Sequence, residues 1–85
     1  MPATQNIVGV VIREMREKKQ LTQTQLTAKI NLLGWDISRE TLAKIEARLR
    51  CVADYEIPVL ASSLGISPSE LLRLAVEKDS KKARL

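Results

Sequence analysis

Side chains that can hydrogen-bond to the edges of nucleic-acid bases cluster in one short stretch of the chain. Ser38 is a typical helix N-cap, and Arg39, Glu40 and Lys44 follow it on the polar face of the helix that it would begin. An arginine can pair bidentately with guanine, and a glutamate can accept a hydrogen bond from the amino group of cytosine. This combination at the start of one helix is chemically suited to contacts with base pairs.

The start of the preceding predicted helix is a second candidate site. Thr22 and Gln25 have the spacing of a capping box, in which the N-cap and the third helical residue bond to each other's backbone. A helix N-terminus exposes unpaired N–H groups and the positive end of the helix dipole, so it suits a phosphate. Gln23, the first residue of this helix, adds a side-chain donor there.

Histidine and cysteine, on which many catalytic and metal sites depend, are almost missing. The chain has no histidine and a single cysteine, Cys51, so a histidine-based nucleophile, a zinc site and an internal disulfide are excluded. Cys51 is expected to be a buried thiol. Residues 1–6 lack the charged and apolar regions expected of a signal peptide, and no apolar run reaches the ~20 residues that span a bilayer. We expect a soluble, cytoplasmic protein that is not an enzyme, binds no cofactor or metal and does not contact a membrane.

The charge is unevenly distributed along the 85 residues. The formal net charge is +4, and it divides into +4 for residues 13–50, −3 for residues 51–77 and +3 for residues 78–85. A basic first half suggests a polyanionic partner on one side of the molecule.

Apolar residues recur at intervals of three and four, which predicts an all-α domain of five helices. The helices are expected at 6–19, 23–30, 39–47, from about 54 to just before Gly65, and after the N-cap Ser67. The second helix either ends at Ile30 or continues through Leu33, with Gly34 as its stop. Gly9 is expected to mark the close approach of another helix. The expected core positions are Val8, Val11, Ile12, Met15, Leu26, Ile30, Ile37, Leu42, Ile45, Ile57, Leu60, Ala61, Leu64, Leu71, Leu72, Ala75 and, as a further candidate, Leu74.

Three stretches, in this order, resemble one known family. They are residues 12–26 (IREMREKKQLTQTQL), 37–46 (ISRETLAKIE) and 60–72 (LASSLGISPSELL). Together they are similar to the phage-repressor and Cro-type helix-turn-helix proteins, also called the XRE family. The resemblance implies a five-helix, lambda-repressor-like DNA-binding domain, which we assign to residues 1–77. The apolar pattern stops at Lys78, so residues 78–85 are expected to form a basic, flexible tail. The second helix would cross the phosphate backbone, and the third would lie in the major groove.

The resemblance and the residue chemistry together assign the site residues. The candidate DNA-binding residues are Lys19, Thr22, Gln23, Ser38, Arg39, Glu40, Thr41, Lys44 and Arg48. For Lys19 and Arg48 the assignment rests on the resemblance, which places phosphate contacts there. The resemblance also implies a partly buried ion pair between Arg16 and Glu46.

Each assignment has an alternative that the sequence leaves open. Arg39 can instead pair on the surface with Glu40 or Asp36, and Lys44 can be a solvated residue. Trp35 can stack on a nucleic acid or pack as a lid over the junction of the second and third helices, and we favour the lid.

The sequence departs from the family pattern at two turns. The connection between the second and third helices is longer than the usual three or four residues. Arg48 stands where a glycine often follows the third helix, which leaves the geometry of that turn open and Leu49 potentially exposed.

The function that these observations favour is sequence-specific binding of double-stranded DNA by a repressor-like homodimer on a palindromic operator. One alternative is an antitoxin or another helical module whose main partner is a protein. Another is a helical bundle with no nucleic-acid role.

Overall fold

The computed structural model describes residues 6–83, with side chains from residue 6 to residue 79. Five α-helices and one 3-10 turn follow one another along the chain. They are α1 (Gly9–Lys18), α2 (Gln23–Leu32), α3 (Arg39–Glu46), the 3-10 turn (Asp54–Glu56), α4 (Ile57–Ser63) and α5 (Pro68–Ala83). No strand occurs between residues 6 and 83, and the predicted all-α, five-helix arrangement is confirmed.

The aliphatic stripes of the five helices meet in one core. The fully buried apolar residues are Val8, Val11, Ile12, Leu26, Ile30, Ile37, Leu42, Ile45, Leu60, Ala61, Leu64, Leu71 and Ala75. Met15, Ile57 and Leu74 are half-buried against this core. Leu72 is 42% exposed, so the prediction that it is buried is wrong. It lies about 100° around α5 from Leu71, which takes the inward position.

The start of α1 lies directly against the end of α3. A Cβ atom added at Gly9 would lie 2.1 Å from the carbonyl oxygen of Ile45, so the close helix approach expected at Gly9 is confirmed. Helix α1 begins at Gly9 and not at Asn6 as predicted. The side chain of Asn6 accepts a hydrogen bond from the Gly9 N–H at 2.8 Å, so Asn6 precedes the helix and caps it.

Helices α1 to α4 all end in the same type of turn. In each, the second residue after the helix has a left-handed backbone. The N–H of the residue that follows it donates to the carbonyl oxygen five residues earlier, as in a Schellman motif. These four N–H to carbonyl bonds are Leu21 to Arg16, Trp35 to Ile30, Leu49 to Lys44 and Ile66 to Ala61. The left-handed residues are Gln20, Gly34, Arg48 and Gly65. The longer form of α2, with Gly34 as its stop, is therefore correct.

Helix α5 continues well beyond the expected end of the folded domain. It begins after Ser67, whose hydroxyl accepts from the Glu70 N–H at 3.1 Å, and runs to Ala83. Residues 78–83 of the expected flexible tail are therefore helical, and residues 84–85 lie outside the described part. Lys78 forms an ion pair with Glu14 of α1, which holds this end of α5 against the domain.

No single helix within residues 6–83 is long and apolar enough to cross a membrane. The segments Asp54–Ser63 and Pro68–Asp79 have enough length and apolar character only when taken together, and they are bent by 101° relative to each other.

Candidate nucleic-acid interface

The N-terminus of α2 is fixed by a complete capping box, as the sequence predicts. The Thr22 hydroxyl accepts from the Gln25 N–H at 3.1 Å, and the Gln25 side chain accepts from the Thr22 N–H at 2.8 Å. Thr22 and Gln25 are both exposed, so the N-terminus of α2 faces solvent. The backbone donors beyond the cap and the positive end of the dipole are thus presented at the surface.

The N-terminus of α3 is capped by Ser38, also as predicted. Its hydroxyl accepts from the Thr41 N–H at 3.1 Å and lies 3.0 Å from the Thr41 hydroxyl. Arg39, Glu40 and Lys44 are exposed on this helix, while Thr41 is half-buried. The charged face of α3 is therefore free to meet a partner.

Arg16 of α1 and Glu46 at the end of α3 form the ion pair that the resemblance implies. The guanidinium donates from Nε to Oε2 at 2.8 Å and from Nη2 to Oε1 at 3.0 Å. Only 11% of the Arg16 side chain and 3% of the Glu46 side chain are exposed. Arg16 also donates to the carbonyl oxygen of Leu21 at 2.8 Å, so it joins both neighbouring helix ends. The bond to Glu46 is the largest influence on the pKa of Arg16, and it raises that pKa.

Gln23 connects this buried pair to the exposed face of α3. Its Nε2 donates to Glu46 Oε1 at 3.1 Å, and its Oε1 accepts from Arg39 Nη1 at 3.2 Å. The bond to a carboxylate fixes which way the amide points, because a flipped amide would place its oxygen against that carboxylate. Gln23 therefore holds Arg39 beside the N-terminus of α2, which brings these two predicted DNA-binding residues together.

Two other candidates lie elsewhere. The Lys19 ammonium lies near the turn that ends α4, 3.9 Å from the position of a Cβ on Gly65. Arg48 is half-buried, and its Nε donates to the carbonyl oxygen of Asn6 at 2.7 Å. Arg48 therefore uses one donor to hold the N-terminal segment against the end of α3.

The long connection between α2 and α3 is braced from both sides. Asn31 Nδ2 donates to the carbonyl oxygens of Trp35 at 2.9 Å and of Ile37 at 3.1 Å. Trp35 is half-buried, packs against the core and has its ring centroid 5.7 Å from the Arg50 guanidinium carbon. These contacts favour the lid interpretation of Trp35 over an exposed stacking role.

Two residues of this region were missed by the sequence analysis. Asn6 is 1% exposed and donates through Nδ2 to the carbonyl oxygens of Ile45 at 2.8 Å and Arg50 at 2.9 Å. Arg50 makes a bidentate pair with Glu56, at 2.9 and 3.0 Å. The spacing of Asn6 three residues before Gly9 is a capping signal, but no sequence pattern indicates the partners of Arg50.

Cys51 is exposed, so the prediction of a buried thiol is wrong. It lies in the extended loop after α3, where Arg50, and not the thiol, packs against Glu56. Among the described residues, no group of three histidine, cysteine, aspartate or glutamate side chains is arranged to hold a metal ion.

Comparison with known proteins agrees with this architecture. A family model described as helix-turn-helix matches residues 12–71. Among solved structures, the clp gene regulator ClgR from Corynebacterium glutamicum is similar, with a TM-score of 0.80 and 20% sequence identity. The similarity covers 94% of this chain and 80% of that chain. No curated protein matches the sequence.

Proposed function

Because the chain belongs to the XRE-type helix-turn-helix family, we propose that it regulates transcription by binding a specific sequence of double-stranded DNA. The observation that carries the proposal is the contact between Gln23 and Arg39, since it joins an open helix N-terminus to an exposed guanidinium. The similar structure is that of a clp gene regulator, which supports a regulatory role.

The capped N-terminus of α2 would contact a phosphate, and the capped N-terminus of α3 would contact base edges. The N-terminus of α2, with Thr22 and Gln23, suits a backbone phosphate and would fix the position of the protein on the duplex. Helix α3 would then lie in the major groove with Arg39 toward guanine and Glu40 toward cytosine. Lys44, one turn further along α3, would reach a phosphate or a base edge.

A homodimer is the form in which this domain would gain enough specificity. Helix α3 has eight residues, and one such helix reads only a few base pairs. Two copies related by a two-fold axis would read a palindrome whose half-sites lie about 34–36 Å apart, one turn of DNA. By resemblance to phage repressors, we expect a bound dimer to repress the genes that it controls.

Selection of bound duplexes from a random pool tests the proposal. We expect a palindromic sequence with two half-sites about one helical turn apart, bound less tightly as salt rises because phosphate contacts release counterions. Arg39→Ala should lose about 1–3 kcal/mol on the selected duplex and relax the preference at one position of each half-site.

Arg13→Ala is the matched control, since it removes an arginine of α1 that pairs only with Glu17 among the described residues. Recovery of no enriched sequence would refute specific DNA binding. Equal affinities of wild type and Arg39→Ala would refute the placement of α3.

A further inference from the structure

The start of α3 is not held by a short turn. Residues 33–38 separate α2 from α3, whereas helix-turn-helix connections usually have three or four residues. A longer connection permits more orientations of the helix that follows it, unless other contacts restrict them. Asn31 supplies one restriction, through its bonds to the Trp35 and Ile37 carbonyl oxygens.

Arg50, on the loop that leaves α3, supplies contacts to three other parts of the molecule. Its guanidinium lies over the ring of Trp35, in the connection before α3. The same group pairs with Glu56 of the 3-10 turn and donates to the carbonyl oxygen of the next residue, Cys51, at 2.9 Å. Its own carbonyl oxygen accepts from Asn6, before α1. The segments on both sides of α3 thus converge on one guanidinium.

We propose that Arg50, whose guanidinium lies over the ring of Trp35, is a positioning residue for the recognition helix. It ties the connection before α3 to the loop after α3 and anchors both to Glu56, which is itself 6% exposed. The inference rests on the proposed function, in which the exposed side chains of α3 contact base pairs. Neither Arg50 nor Trp35 needs to touch DNA in this role.

Orientation matters here because hydrogen bonds to base edges depend on distance and angle. Helix α3 is about 12 Å long, so a small rotation about one end displaces side chains at the other end. Phosphate contacts through the N-terminus of α2 tolerate such a rotation, because they do not involve α3. Loss of the Arg50–Trp35 contact should therefore reduce discrimination between sequences more than it reduces general DNA binding.

The test compares Trp35→Ala and Arg50→Ala with wild type, well below their unfolding temperatures. The probes are the duplex recovered by selection and an unrelated duplex of the same length. We expect each variant to lower the ratio of the two affinities by about five- to tenfold, with little change in affinity for the unrelated duplex. Trp35→Phe, which keeps an aromatic face, should restore most of the ratio.

Arg73→Ala is the matched control for lost charge, because it removes a guanidinium that pairs with Glu70 and Glu77 on the distant α5. It should leave the ratio of affinities unchanged. Arg50→Lys should behave as Arg50→Ala, since a lysine cannot reproduce the bidentate pair with Glu56.

Hydrogen exchange without DNA supplies an independent measurement. Amides of residues 39–46 should gain exchange rate by a larger factor than those of α1 in Trp35→Ala and Arg50→Ala. Wild type without any sequence preference would refute the proposed function, and the exchange rates would still test the positioning role. A wild-type preference that both variants retain, or unchanged exchange in α3, would overturn the role of Arg50.

Discussion

Gln20 and Arg48 hold left-handed positions that glycine usually takes at the end of a helix. Their φ angles are 59° and 61°, and each follows a helix that ends in a Schellman turn. A side chain in this region costs about 1–2 kcal/mol relative to the right-handed conformation. Gln20 is exposed, whereas Arg48 donates to the Asn6 carbonyl oxygen and so recovers part of this cost.

These two positions give a matched pair of substitutions. Gln20→Gly should raise the free energy of unfolding by about 0.5–1 kcal/mol, because relief of strain exceeds the entropy that glycine adds to the unfolded chain. Arg48→Gly relieves the same strain but loses the bond to Asn6, so it should gain less or be destabilising. Urea unfolding measures both changes. Equal gains at the two positions would mean that the Arg48 side chain contributes nothing to stability.

At the scale of helices, the molecule depends on polar contacts between helix ends. Arg16 and Glu46 join α1 to the end of α3, and Gln23 extends the same network to the start of α2. Arg16 and Glu46 are both mostly shielded from water, so removal of one leaves the other without its counter-charge.

Arg16→Ala should therefore lower the free energy of unfolding by about 2–4 kcal/mol, since breaking a buried ion pair leaves an uncompensated charge. The matched control is Arg13→Ala on the same helix, whose pair with Glu17 has side chains 62% and 56% exposed. That change should cost at most about 0.5 kcal/mol. Thermal or urea unfolding distinguishes the two, and similar losses would contradict the difference in burial.

The elements that the sequence predicts well are those specified by neighbouring residues. The capping box at Thr22, the N-cap at Ser38 and the stops at Gly34 and Gly65 all depend on spacings of a few residues. Contacts between distant segments are not encoded locally. The contacts of Arg50 with Glu56 and with the ring of Trp35 form only once the chain is folded.

The end of α5 illustrates a different limit of sequence reasoning. The apolar pattern stops at residue 78, and without it the sequence predicts no further helix. The helix nevertheless continues, because Lys78 pairs with Glu14 of α1 and lysine and alanine favour helices. A charged contact to another helix is invisible to a pattern of apolar residues.

At the scale of the whole molecule, Glu56 links stability to pH. The bond from Arg50 is the largest influence on the pKa of the Glu56 carboxyl and lowers it from 4.5, with the Ala53 N–H acting in the same direction. A lowered pKa in the folded state means that the ionised group stabilises the fold above the pKa of the unfolded chain. That contribution is lost as the pH falls from about 4.5 through the lowered value in the folded protein.

Glu56→Gln should consequently unfold more easily than wild type at pH 7, by about 1–2 kcal/mol. The difference should shrink as the pH falls below 4.5, because wild type then loses its own carboxylate. Urea unfolding of both proteins between about pH 7 and pH 3 measures the effect. A difference that stays constant over this range would show that the charge of Glu56 does not stabilise the fold.

The contact at Gly9 also bears on how the domain would meet a duplex. The carbonyl of Ile45 lies against α1 with no side chain between the two backbones, so the C-terminal end of α3 is fixed directly against α1. If two such domains bind one operator, the DNA must bend or twist so that both α3 helices reach their half-sites. The energy of that deformation depends on the stacking of successive bases. We therefore expect sequence preferences at base pairs between the half-sites, where no side chain makes contact.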